Sequence, residues 1–265
     1  MTKPEHISFI SQDVRIGAQL VVPESGLARA GVVCVTGGQA DAEALFTEWQ
    51  QAMATEGIAS LAFDARGKGR SDGVWDNGRM FGSPAELGNS QLSRMQDTVN
   101  AIVEFQSMDV APAEPSLLGA SMGGDVALHA AYEIPDRISS LILKAPAAYH
   151  PDAHTAQFGT QLRAILRNPA RYPHALAPNF GMLRRLAVPT RLVFAAGEEV
   201  ISPDIREMYT TAADENPLVE SLVVGDETTR HGYFFATDPT AIEAKRKTIT
   251  NATAFILKTT ATRVH

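Results

Sequence analysis

The apolar positions of this chain change period along its length. Residues 5–23 alternate apolar and polar positions (Ile7, Phe9, Val14, Ile16, Leu20, Val22), the signature of half-buried strands, and predict a hairpin at a sheet edge. After Pro23 the pattern becomes short continuous apolar runs at 31–35, 60–64, 116–120, 140–145, 191–196 and 220–225. Such runs suit strands covered on both faces, hence a parallel sheet. Helix-period segments fall between them at about 43–56, 89–108, 122–133, 203–214 and 239–257. The alternation predicts an α/β class. One interval, 149–187, breaks the rhythm because Pro151, Pro169, Pro173 and Pro178 cut it into short helical pieces. It is read as a small helical cap inserted in a single domain spanning 1–265.

Composition narrows the partners. A chain of 265 residues with 45% hydrophobic residues can bury a full core without staples. A net charge of −7 argues against nucleic acid and anionic membrane as partners, and no run of about 18 apolar residues suggests a membrane span. Cys34 is the only cysteine, so no internal disulfide forms, and a reducing, cytoplasmic location is expected. No dinucleotide or phosphate-loop motif occurs, and neither cofactor nor metal is expected. A homodimer is left open.

The chemistry-bearing segment is Gly119-Ala120-Ser121-Met122-Gly123, a G-x-S-x-G pattern between a buried strand and a helix. Small neighbours permit a sharp strand-to-helix turn that pushes Ser121 into a cleft, and the helix N-terminus favours developing negative charge there. A serine hydroxyl needs a base. His231 follows the last predicted strand and is the candidate. The remaining histidines fall on the edge hairpin (His6), a helix (His129), the cap (His150, His154, His174) and the tail (His265). A carboxylate should follow the preceding strand to orient the imidazole. There the chain reads Gly197-Glu198-Glu199-Val200-Ile201-Ser202-Pro203, and Glu199 is favoured, with Glu198 and Asp204 as alternatives.

The order Ser121, Glu199, His231 resembles the α/β-hydrolase family over nearly the whole chain, in its serine esterase, thioesterase and peptidase-like branch. Phe63-Asp64-Ala65-Arg66-Gly67-Lys68-Gly69-Arg70-Ser71-Asp72-Gly73 is similar to that branch's D-x-R-G-x-G-x-S segment, whose role is architectural. Val35-Thr36-Gly37-Gly38-Gln39 resembles its oxyanion loop, with Thr36 in place of the usual histidine. The resemblance implies that the amides of Met122 and Gly38 bind the oxyanion, with Gln39 as the alternative donor. It also implies an acyl-enzyme on Ser121 formed from an ester, thioester or amide. A family-typical aspartate is replaced by Val200. An acyltransferase or cyclase using the same triad, or a non-catalytic ligand-binding relative, are the alternatives.

The cap segment holds Arg163, Arg167, Arg171, Arg184 and Arg185 against one acid, Asp152. Arg163 and Arg167, four residues apart, share a helical face and are the candidate contacts for an anionic small-molecule acyl substrate. Tyr149, Phe158, Tyr172 and Phe180 are candidates either to line the pocket or to pack the cap onto the core.

Overall fold

The computed structural model describes residues 2–38, 41–73, 89–110 and 112–263. Eight strands form one sheet in the order β1-β2-β4-β3-β5-β6-β7-β8: β1 (Glu5–Ser11), β2 (Val14–Val21), β3 (Ala30–Val35), β4 (Ile58–Phe63), β5 (Ser116–Ala120), β6 (Leu141–Lys144), β7 (Thr190–Ala195) and β8 (Val219–Val224). The β1–β2 hairpin is antiparallel, and β2 joins β4 antiparallel with Ala18 opposite Phe63. Every pairing from β4 to β8 is parallel. Parallel neighbours need crossovers, and helices supply them: α1 (Ala42–Thr55), α2 (Gln91–Gln106), α3 (Met122–Glu133) and α7 (Pro203–Asp214); a last helix, α8 (Pro239–Arg263), follows β8.

Both faces of the sheet are covered. Val33, Val35, Leu61 and Leu117 face one core with Ala101, Phe105, Val126 and Tyr209. Val32, Cys34, Leu118 and Ile142 face the other with Phe46, Trp49, Ala252 and Phe255. Successive residues of β3 therefore serve opposite cores, which is why its sequence shows an unbroken apolar run. Burial pushes the Cys34 thiol far up from its ordinary value, so it remains a protonated packing group.

The run at 220–225 departs from expectation. It was expected to be buried on both faces, yet β8 ends the sheet, and of its six residues only Val224 is buried, while Val223 is 59% exposed. Glu220 and Ser221, both exposed, fall in its first half, and the lack of a second neighbouring strand leaves the apolar Val223 in solvent.

Between β6 and β7 lie three short helices, α4 (Pro151–Thr155), α5 (Thr160–Leu166) and α6 (Asn179–Arg185), with a 3-10 turn at His174–Leu176. Pro151 opens α4, where a missing N–H costs nothing.

The segment after β4 is tied down by its own polar residues. The Asp64 carboxylate accepts the backbone N–H of Ala42 at 2.7 Å and of Arg70 at 2.8 Å. Arg66 makes a two-pronged ion pair with Asp97 of α2, both contacts 2.7 Å and both side chains buried. Removing one partner of such a pair strands the other charge without solvent. Arg66→Met is expected to cost about 3–5 kcal/mol of stability in urea unfolding. Arg66→Met/Asp97→Leu should recover most of that loss; additive losses in the double variant would show that the pair is not what holds the segment.

Candidate active site

Ser121 sits between β5 and α3 with φ 54° and ψ −119°, a positive φ that a side chain rarely adopts. Close backbone packing imposes it. A Cβ on Gly119 would lie 2.4 Å from the Gly123 carbonyl oxygen, and one on Gly123 would lie 2.4 Å from the carbonyl oxygens of Val35 and Thr36. The first turn of α3 thus rests directly on the end of β3. Backbone bonds hold the turn: Ser121 N–H donates to the Lys144 carbonyl at 2.8 Å, and the Ser121 carbonyl accepts from Gly124 at 2.9 Å and Ala147 at 3.0 Å.

Ser121 lines a cavity of about 580 Å³ together with Gly38, Met122, Lys144, Tyr149 and His231. No hydrogen bond joins Ser121 to His231 among the described residues, a looseness common before substrate tightens a triad. Gly38 and Met122, expected as oxyanion donors, both border the cavity. Gln39 lies outside the described residues. The loop before it is braced by two cations: Arg94 of α2 donates to the Thr36 carbonyl at 2.6 Å, and Lys68 donates to the Gly38 carbonyl at 2.5 Å. Burial lowers the Lys68 amine to about 8, and that of the Arg94 guanidinium to about 10.

The loops after β7 and β8 interlock. Gly197 donates to the Thr229 carbonyl at 3.0 Å, and a Cβ on Gly197 would lie 2.2 Å from the Glu227 carbonyl oxygen. A tight turn follows, with Glu198 N–H donating back to Ala195 at 3.3 Å. This turn sends Glu198 inward and Glu199 outward. Glu198 Oε1 lies 2.7 Å from His231 Nδ1 and also accepts the N–H groups of Val200 and Ile201, both at 3.0 Å. The favoured acid, Glu199, is exposed and instead accepts the backbone N–H of His231 at 3.0 Å. The imidazole's carboxylate is therefore Glu198, one position earlier than the favoured reading. Asp204 lies in the first turn of α7, with no bond to His231. Burial alone would raise the Glu198 carboxyl. The hydrogen bond and charge of His231, with the Ile201 and Val200 amides, outweigh it and hold the group below its ordinary value.

Lys144 was not singled out from the sequence. Its Nζ donates to the His231 carbonyl at 2.6 Å and sits 4.8 and 4.9 Å from the ring centres of Tyr233 and Phe234. Burial depresses its amine to about 8, against the pull of Glu198 and Glu199. A lysine closing the otherwise apolar strand Leu141–Lys144 was the available signal.

Arg163 and Arg167 are not brought to the cavity. Leu166, between them, lines it instead, while Arg163 is half-buried elsewhere and Arg167 is exposed at the end of α5. Of the four cap aromatics, Tyr149 lines the cavity, Phe158 and Phe180 are buried in the cores, and Tyr172 packs on His150. A second, smaller cavity is lined by Asp125, His129 and His154, whose ligand atoms lie within 4.8 Å of one another. No described helix is long and apolar enough to cross a membrane.

A model of the family described as "Serine aminopeptidase, S33" matches residues 28–215. No curated protein matches. Solved structures with the same fold include Est1E from Butyrivibrio proteoclasticus with bound ferulic acid (14% identity, 96% of this chain and 99% of that one, TM-score 0.70). An esterase of Pyrococcus furiosus is 16% identical over 97% of this chain and 91% of that one, with a TM-score of 0.67. The N-formylmaleamic acid deformylase of Pseudomonas putida is 18% identical over 91% of this chain and all of that one, with a TM-score of 0.62. At these identities the likeness is one of α/β-hydrolase fold.

A carboxyl depressed in the folded state adds stability above its unfolded value, and that contribution disappears as pH falls through the folded value. The stability advantage of the wild-type chain over Glu198→Gln should therefore be full at pH 7 and shrink as pH drops below about 4.5. Urea unfolding at pH 7, 5, 4 and 3 measures it; an advantage that stays constant across the series refutes the contribution of the Glu198 carboxylate.

Proposed function

Because the chain belongs to the serine aminopeptidase, S33, family of α/β hydrolases, we propose that it is a carboxylesterase-like serine hydrolase acting through an acyl-enzyme on Ser121. His231 is the base and Glu198 the acid. The observation that carries this reading is the 2.7 Å contact between His231 Nδ1 and Glu198 Oε1, made in the loop that brings His231 into the cavity of Ser121.

That contact assigns the ring proton. With Nδ1–H donated to Glu198, the lone pair lies on Nε2, the nitrogen that must take the Ser121 proton as Oγ attacks the carbonyl carbon. Glu198 then stabilises the imidazolium. The tetrahedral oxyanion is taken up by the amide of Met122 at the N-terminus of α3 and that of Gly38 in the loop after β3, each donor contributing roughly 3–4 kcal/mol to the transition state. His231 returns its proton to the leaving oxygen, sulfur or nitrogen, and water attacks the acyl-enzyme by the same route in reverse. Lys144 and Glu199 hold the backbone on either side of the imidazole, so ring position is determined at three points.

The cavity favours an apolar acyl group. Leu45, Met122, Leu166, Ile201, Ile205 and Phe235 are among its lining residues, beside the polar Lys144, His174 and Glu199. The anionic preference anticipated for Arg163 and Arg167 has no support in their placement. Among the fold neighbours, Est1E is solved with ferulic acid bound and another is an N-formylmaleamic acid deformylase; for this chain the largely apolar lining supports an uncharged ester as substrate.

Ser121→Ala should lower kcat/KM on p-nitrophenyl butyrate by at least about 10⁴-fold and abolish labelling by a fluorophosphonate. Glu198→Gln should lose about 10³–10⁴-fold, chiefly in kcat, whereas Glu199→Gln should lose less than about tenfold. Turnover surviving in Ser121→Ala overturns the mechanism, and a larger loss in Glu199→Gln than in Glu198→Gln overturns the assignment of the acid.

A further inference from the structure

Away from the Ser121 cavity, α3 and α4 bring together three groups that the proposed chemistry does not use. Asp125 and His129 are one turn apart on α3 and so share a face. His154 comes from α4, in the insertion between β6 and β7, and lies over that face. Asp125 Oδ1 is 3.3 Å from His154 Nε2 and 3.9 Å from His129 Nε2, and the imidazole centres are 4.4 Å apart. The Asp125 side chain is 1% exposed, His129 14% and His154 15%.

We infer that Asp125, His129 and His154 form a binding site for Zn²⁺ that clamps α4 of the insertion onto α3. Four-coordinate zinc holds imidazole nitrogen and carboxylate oxygen at about 2.0–2.2 Å. Tetrahedral geometry then sets ligand atoms roughly 3.3–3.5 Å apart. The Asp125–His154 separation already has that value, the Asp125–His129 separation is 3.9 Å, and all three atoms lie within 4.8 Å of one another, so rotation of the imidazoles toward a common centre closes the site. Two imidazoles and one carboxylate suit zinc and its first-row neighbours, whereas calcium and magnesium want oxygen cages.

The surroundings are those of a ligand set held in place. Asp125 Oδ2 accepts from Gln91 at 3.0 Å, and Oδ1 accepts from Asn179 at 3.0 Å, whose amide nitrogen is also 3.1 Å from the Tyr209 hydroxyl. Such bonds orient a ligating carboxylate. Two buried atoms beside the carboxylate, His129 Nε2 and Asn179 Oδ1, have no hydrogen-bond partner. They lie near enough to interact without meeting hydrogen-bond geometry. A buried polar atom left so is costly, and a metal at the centre would use the His129 lone pair.

The cluster opens on a cavity of about 220 Å³ bordered also by Tyr132, Glu133 and Met182. It gives an ion an entry path and leaves room for a water as fourth ligand. Neither Ser121 nor His231 borders this cavity, so the site is distinct from the proposed catalytic one.

The experiment uses the full chain, stripped with EDTA and dialysed. Zinc chloride titrated by calorimetry should bind one equivalent, and at a hundredfold excess over Kd should raise Tm by about 5 °C. Magnesium should do neither. His129→Gln and His154→Gln should lose both effects, while His6→Gln, at an exposed histidine, should keep them. Cobalt(II) provides a readout on the wild-type chain alone: an intense four-coordinate visible spectrum, displaced by zinc, is expected. The absence of stoichiometric zinc binding by the wild-type chain, or of the four-coordinate cobalt spectrum, overturns the proposal in favour of a metal-free Asp125–His154 ion pair. Undiminished binding by His129→Gln and His154→Gln overturns it in favour of adventitious surface histidines.

Discussion

The strand-to-helix turn at Ser121 is the constraint on which the remaining geometry depends. α3 approaches β3 so closely that no Cβ fits at Gly119 or Gly123, and the residue between β5 and α3 must therefore turn with positive φ. Strain of this kind costs on the order of 1–3 kcal/mol and persists only where the surroundings over-determine it. Here three backbone hydrogen bonds through Ser121 connect it to β6, to α3 and to the segment leading into the insertion. Moving α3 outward by the width of a methyl group would relax the serine and withdraw the helix N-terminus from the cavity. It would also shift Asp125 relative to His154, since both polar centres hang from the same helix.

Around that turn the loops are held by buried cations acting on backbone carbonyls. Arg94, Lys68 and Lys144 bond Thr36, Gly38 and His231 respectively. Each cation pays a desolvation cost, visible in the lowered values of all three groups. Nearby carboxylates offset part of it: Asp97 and Asp125 for Arg94, Asp41 and Asp64 for Lys68, Glu198 and Glu199 for Lys144. The arrangement positions loop backbone without crowding the cavity with short side chains, and it links the architectural segment after β4 to the candidate oxyanion loop through a single residue, Lys68. Such a brace is stiff because a carbonyl facing a buried cation has no competing water.

Much of the fold and part of the site were legible in the residue pattern. The expected helices at 122–133 and 203–214 match α3 and α7 end to end, because Ser121 and Pro203 mark their starts locally. The segment from Asp64 to Ser71 was legible for the same reason: its glycines and the bonds of Arg70 and Ser71 to Asp64 close one loop locally, although its anchors Ala42 and Asp97 lie on distant helices. The choice between Glu198 and Glu199 was not, nor was the placement of Arg163 and Arg167 away from the cavity, nor the role of Lys144. Each depends on how one loop meets another far away in the chain. Gly197 against Glu227 turns the acidic loop by one residue, and no spacing rule applied within that loop alone contains this contact.

By itself, then, the sequence determined the alternation of strand and helix, the sharp turn that carries Ser121, and the loop following β4. These rest on residue period, on the space a glycine leaves and on bonds between near neighbours, all properties carried by a short stretch of chain. Only the tertiary structure decided that β8 is an edge, that Glu198 faces the imidazole, that Leu166 rather than its arginine neighbours meets the cavity, and that His154 lies over Asp125 and His129. Those outcomes depend on which side of a loop or helix faces a partner distant in sequence, and side-chain direction across such a contact is decided only when both segments are packed against the same sheet.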